Sequence, residues 1–145
     1  MNEARKVRLR IVSRLTQLGG DVMETKNART GLFRREGGAL VLEYDDVQDD
    51  EKAHIVLEMH AGRVSSENRA RMQRRGMISA QLTFLPGERV GSSYVTIYGE
   101  ISVAVDTRRV GILTQENGGC LTLDYDVYMG GEKTSSALME VTWRA

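Results

Sequence analysis

Cysteine and proline each occur once in this 145-residue chain, histidine twice, and 20 basic residues balance 20 acidic ones. Each of these shortages excludes something. A lone cysteine, Cys120, cannot close an intrachain disulfide, nor can it anchor a metal site built mainly on thiolates. It lies in the apolar run Cys120-Leu121-Thr122-Leu123, where a packed, unreactive thiol is expected. Zero net charge removes any bulk attraction to nucleic acid or acidic membrane. No apolar run approaches the length of a transmembrane helix, the longest being short stretches such as residues 39–42. The first residues, Met1-Asn2-Glu3-Ala4-Arg5-Lys6-Val7, lack the apolar core of a secretory signal. A cytoplasmic location with no membrane association is therefore expected.

What is present is a rhythm of glycines. Gly19-Gly20, Gly37-Gly38, Gly62, Gly87, Gly118-Gly119 and Gly130-Gly131 separate segments that are apolar at every second position. Glycine supplies the positive φ of tight hairpin turns, so this spacing predicts consecutive antiparallel strands. The lone proline sits in Pro86-Gly87-Glu88, a turn sequence rather than a break within a strand.

The alternation is direct. Val7, Leu9 and Ile11 alternate with Lys6, Arg8 and Arg10, and Ile101, Val103 and Val105 with Glu100, Ser102 and Asp106. Ile55, Leu57 and Met59 alternate with His54, Glu58 and His60, and Leu121, Leu123, Tyr125, Val127 and Met129 with Thr122, Asp124, Asp126 and Tyr128. Successive strand side chains point to opposite faces, so each pattern means one buried and one wet face. Many such strands without a crossover helix leave a sandwich or a barrel. Closure removes exposed edges and favours the barrel. The expected fold is all-β, a single antiparallel meander barrel spanning residues 1–145 as one domain. Near residues 63–73, where Ser66-Glu67-Asn68-Arg69-Ala70-Arg71-Met72-Gln73 is rich in helix formers, a short helix or a long loop stays open.

Several features in this order carry a family resemblance. They are Thr30-Gly31, Leu42-Glu43-Tyr44 before an acidic turn, Arg74-Arg75-Gly76 as an Arg-x-Gly, then Phe84, Tyr94, Tyr98-Gly99-Glu100 and Thr107. The closing hairpin runs from Gly119-Cys120-Leu121-Thr122-Leu123-Asp124-Tyr125 through Met139-Glu140-Val141-Thr142. In these the chain resembles the YwiB-like family of bacterial domains of unknown function, whose fold is a calycin-like, lipocalin-related barrel. Between Gly62 and Arg74 the chain is several residues longer than the family pattern, which places an arginine-rich insertion there. The resemblance implies a fold and a bacterial, intracellular setting. It implies no activity, substrate or cofactor.

Catalysis finds little support in the residues. His54 and His60 would lie about 20 Å apart on one strand, on its solvent face, too far to share a metal or a proton. The acidic stretch of residues 43–51 lacks the ligand spacing of a calcium loop and reads as a solvated turn. No glycine pattern leads from a strand into a helix as a phosphate cradle requires. Neither an enzymatic constellation, a metal site nor a cofactor is expected. The favoured reading is a non-enzymatic binder of a small apolar or amphipathic ligand in the barrel. Tyr44, Tyr94, Tyr98 and Tyr125 come from different strands and could line a cavity, with Arg74 supplying charge if it faces inward. The alternative is an interaction module whose Arg63, Arg69, Arg71 and Arg75 grip RNA, a phosphorylated metabolite or an acidic protein. Arg5, Lys6, Arg8, Arg10 and Arg14 form a second basic stretch that would extend this surface if the two lie side by side. Aromatics able to stack bases are absent from both stretches, so nucleic acid is the less favoured partner.

Overall fold

Ten antiparallel strands close into one barrel in a computed structural model that describes residues 3–48 and 50–145. Asp49 of the acidic stretch, the side chain of Gln48, and Met1 and Asn2 fall outside that description. The strands are β1 (Arg5–Gln17), β2 (Val22–Glu36), β3 (Ala39–Gln48), β4 (Glu51–His60) and β5 (Arg69–Arg75). They continue as β6 (Ser79–Phe84), β7 (Arg89–Thr96), β8 (Gly99–Gln115), β9 (Gly118–Met129) and β10 (Glu132–Arg144). Each pairs with its neighbours in sequence, and β10 returns to β1, with Ile11 opposite Val141. The barrel expected from alternation is thus the fold observed. Among the described residues no helix is long and apolar enough to cross a membrane.

Alternation translates directly into burial. Val7, Leu9 and Ile11 of β1 point into the core, as do Ile55, Leu57 and Met59 of β4 and Leu121 and Leu123 of β9. Phe84, Leu42, Leu57, Met59, Leu121 and Leu123 are almost wholly removed from solvent. Each such side chain contributes about 1.5–3 kcal/mol over its exposed state. The interior is filled by side chains along this part of its length, so it is a packed core rather than a hollow cup.

Two sequence expectations change in detail. Helix formers at positions 69–73 belong to β5, because Ala70 and Met72 face the core while Arg69 and Arg71 face out. Period-two burial overrides local propensity there, and the helical content of the segment shrinks to a 3₁₀ turn at Ser65–Glu67. The segment is pinned by Asn68, whose amide nitrogen donates to the Val110 carbonyl (2.9 Å) and whose amide oxygen accepts from Gly62 N–H (2.8 Å). Gly118-Gly119 is not a turn either. It opens β9, and a Cβ on Gly119 would lie 2.3 Å from the Trp143 ring. The glycine is there because an indole packs against bare backbone.

The seam between β6 and β7 is the shortest in the wall. Only Ser79–Val95 and Ala80–Tyr94 pair across it. Beyond them the Ser92 hydroxyl donates to the Gln81 carbonyl in place of a ladder bond.

Candidate ligand site

Hydrogen-bonded registers carry one lateral row around half of the barrel. Gly31 of β2 pairs with Tyr44 of β3, Tyr44 with Ile55 of β4, and Ile55 with Arg74 of β5. Arg74 pairs with Ala80 of β6, and Ala80 with Tyr94 of β7. Directly paired residues project to the same face, so Tyr44, Arg74 and Tyr94 all start inward. Gly31 makes room for the row: a Cβ there would lie 2.4 Å from the Glu43 carbonyl oxygen and 3.1 Å from the Tyr44 Cβ. Tyr125 of β9 joins from the far wall, edge-on to Phe84 at 4.9 Å between ring centroids.

Two further charged residues share this interior. Arg29 pairs with inward Leu9, and Asp46 with buried Ala53, which puts both side chains on the core side. Arg29 Nε and Nη2 both donate to Asp46 Oδ1, at 3.1 and 2.9 Å. Arg74 Nη1 stands 3.9 Å from the other carboxylate oxygen, while its Nε donates to the Ile78 carbonyl. Two guanidinium groups thus flank one carboxylate beside the Tyr44 phenol. Burial pushes that phenol up to about 12, with Asp46 adding to the shift and Arg74 and Arg29 opposing it. Tyr125 is likewise raised to about 12 by burial, with Tyr94 adding. Tyr94 is raised by burial against the pull of Arg74. All three phenols remain neutral donors at physiological pH. One more polar group lies close by. The Thr107 hydroxyl, on the β8 residue opposite Tyr125, is fully buried with no hydrogen-bond partner among the described residues.

This polar cluster occupies the end of the barrel where β1–β2, β3–β4, β5–β6, β7–β8 and β9–β10 turn. The same end is rimmed by exposed apolar side chains, including Leu18, Met23, Met77, Ile78, Ile97 and Met129. Arg29, Asp46 and Thr107 escaped the sequence reading. For Arg29 and Asp46 the signal was their phase: each keeps the alternation of its inward neighbours, Gly31 and Tyr44.

Comparison with family models finds a match over residues 10–141 to a domain of unknown function, DUF1934. The chain belongs to this family. The crystal structure of the YwiB protein from Bacillus subtilis resembles it with a TM-score of 0.83, covering 98% of this chain and 92% of that one. At 18% identity that likeness establishes the barrel and nothing of its chemistry. Comparison with curated proteins returns no significant match.

Within this DUF1934 barrel the other candidates are dispersed. Tyr98 sits on the β7–β8 turn, 94% exposed, and joins the rim rather than the interior cluster. Arg69, Arg71 and Arg75 project outward from β5, and Arg63 is exposed in the loop before it. The two basic stretches do not adjoin, because β2, β3 and β4 separate β1 from β5. His54 and His60 take carboxylate partners on the outer face, Asp45 at 2.9 Å and Glu58 at 2.7 Å. The His54 hydrogen bond holds the Asp45 carboxyl below its ordinary range, and Lys52 adds to this. Cys120 faces outward between Glu140 and Thr142 instead of packing with Leu121 and Leu123. No three His, Cys, Asp or Glu side chains converge among the described residues.

Two of the surface concavities bear on ligand binding. One of about 250 Å³ opens at the opposite end, over Val7, Phe33 and Trp143, with Arg5, Arg35, Glu3 and Glu116 around it. The other, about 890 Å³, runs along the outer wall across β5 to β8. Neither is lined by Tyr44, Tyr94 or Tyr125.

Proposed function

We propose that this protein is a non-enzymatic, cytoplasmic binder of a small amphipathic anion, held at the rimmed end of its calycin-like barrel. The observation that carries this reading is the row that delivers Tyr44, Arg74 and Tyr94 to one interior face, beneath exposed apolar side chains. With the middle of the barrel packed solid, the ligand lies at the mouth. Its anionic group meets Arg74 and the Tyr94 hydroxyl, and its apolar part rests on Met77, Ile78 and Ile97. Arg29 holds Asp46, which keeps that carboxylate from neutralising Arg74 outright. Charge-assisted hydrogen bonds of this kind contribute about 1.5–3 kcal/mol each.

The test is native mass spectrometry and thermal shift with a chain-length series of fatty acids, run on the wild-type protein and Arg74→Gln. Saturable binding that falls about 10- to 100-fold in Arg74→Gln is expected. Absence of binding across the series, or equal binding by the variant, overturns the reading.

A further inference from the structure

The outer wall carries a separate charged surface. On β5 the outward residues are Arg69, Arg71, Gln73 and Arg75, set at every second position and so about 6–7 Å apart along the strand. All three arginines are exposed, and none has a hydrogen bond or an ion pair among the described residues. On the outer wall Arg34, Arg89 and Arg108 each hold a carboxylate, whereas these three guanidinium groups, like those of Arg8 and Arg10 on β1, hold none among the described residues.

The flanking strands do little to cancel this charge. On β4 the groups beside the row are His54, Glu58 and His60. Glu58 stands opposite Arg71, but it accepts the His60 ring hydrogen bond, which holds its carboxyl below the ordinary range, with Arg71 and Arg69 contributing through space. On the other side β6 presents Ser79, Gln81 and Thr83, and β7 presents Ser93. Glu100 at the start of β8 closes the far edge of the trough. Asp45, bonded to His54, and Glu43, which shares a hollow with Arg75, add carboxylates near one end of the row, while Arg74 adds a positive charge to the trough.

Beside the row lies the 890 Å³ trough, where the short β6–β7 seam bends the wall. Its lining is mostly serine, glutamine, threonine and arginine, with Ala80, Gly91, Val95 and Glu100 among them and without one aromatic ring. Sites that track nucleic-acid strands combine positive charge with stacking platforms. This surface has the charge and the hydroxyl donors and lacks the platforms. We infer that the β5–β7 face binds a linear oligophosphate, gripped through its phosphates by Arg69, Arg71 and Arg75, with the Thr83 and Ser93 hydroxyls of the trough donating to phosphate oxygens. This site differs from the barrel mouth in its residues except for Arg74, which also lines the trough.

Calorimetric titration with short-chain inorganic polyphosphate at several salt concentrations tests it. Binding should weaken with salt, log K against log salt having a slope of about −2 to −3 for three contacts. Combined Arg69→Gln, Arg71→Gln and Arg75→Gln should weaken binding more than tenfold at low salt and flatten that slope, with an unchanged melting temperature confirming the fold. Arg8→Gln with Arg10→Gln, on the far wall, should leave binding intact. No binding at low salt overturns the inference, and so does equal loss in the two sets of variants. A single-stranded oligouridylate of matched charge bound more tightly than polyphosphate would reject the assignment in favour of nucleic acid. Because Arg74 lines the trough and Tyr94 does not, Tyr94→Phe is the variant that disturbs the mouth and leaves polyphosphate binding intact.

Discussion

Thr107→Val should make this barrel more stable. The Thr107 side chain is 1% exposed, and its hydroxyl has no partner among the described residues. Its backbone is already engaged: the N–H donates to the Glu88 carbonyl at 3.2 Å, and the carbonyl accepts from Gly87 N–H at 2.8 Å. Around it lie Val105, Val110 and the ring of Tyr125, so the hydroxyl has exchanged water for apolar surroundings. Leaving such a group unsatisfied costs about 1–3 kcal/mol. Valine keeps the branched shape, suits a strand, and removes the hydroxyl. A gain of about 1 kcal/mol is expected, which for a domain of this size raises Tm by about 2–4 °C. Thr107→Ser is the control: it keeps the hydroxyl, loses a buried methyl group and should cost about 1 kcal/mol. Urea unfolding monitored by circular dichroism measures both. If Thr107→Val is destabilised as much as Thr107→Ser, the hydroxyl is hydrogen-bonded in solution and the reasoning fails.

Other expectations follow from single contacts. Gly119→Ala should lose about 2 kcal/mol, because its new methyl would meet the Trp143 ring at 2.3 Å and the Leu113 carbonyl oxygen at 2.6 Å. A lower Tm together with altered emission from the sole tryptophan would confirm it. Tyr44 and Tyr125, both raised to about 12, should ionise well above the ordinary tyrosine range in an ultraviolet pH titration. The sign of the linked stability is definite. Unfolded tyrosine loses its proton near pH 10 while these two keep theirs, so stability is flat below about pH 10 and falls as pH rises toward 12. Hydrogen exchange should be fastest, among wall strands, for the amides of β6 and β7 that face each other beyond Ala80 and Tyr94, since no ladder bonds hold them. Uniform protection around the wall would contradict the short seam.

How far the chain could be read in advance depended on how each signal is encoded. Burial in a strand follows a period of two, so Val7, Leu9 and Ile11, or Leu121 and Leu123, announce their face without help from the rest of the molecule. Glycine pairs at positive φ, such as Gly37-Gly38 and Gly130-Gly131, announce their turns equally well. Gly118-Gly119 looks identical in sequence, yet its role is set by Trp143 from another strand. The same limit applied to the site. Tyr44, Arg74, Tyr94 and Tyr125 were chosen as residues from different strands, and the registers do bring them to one interior. Tyr98 has the same composition cue but stands at a turn tip, a position that only hairpin length decides. Arg29 and Asp46 were passed over because charged residues are expected outside, although their phase put them inside. Whether the two basic stretches adjoin depended on strand order around the barrel, which no local pattern encodes.

Distribution of polarity along the barrel axis argues where function resides. The middle of the barrel, with Phe84, Leu42, Leu57 and Met59, is apolar and packed, and it supplies most of the burial that holds the fold together. The rimmed end places Arg29, Asp46 and Arg74 half-buried on the inner side of a closed sheet, where each charged group costs desolvation that apolar replacements would avoid. Asp46→Ala separates the two explanations for that cost. If the cluster is structural alone, removing the carboxylate leaves the half-buried Arg29 with only the Ala28 and Val47 carbonyls and destabilises the barrel by about 1.5 kcal/mol, with no other consequence. If the cluster exists to hold an anion, the same variant loses stability but gains affinity for a fatty-acid carboxylate, because Arg29 and Arg74 are both released toward it. Reduced affinity in a folded Asp46→Ala protein would refute the binding role, whatever its stability.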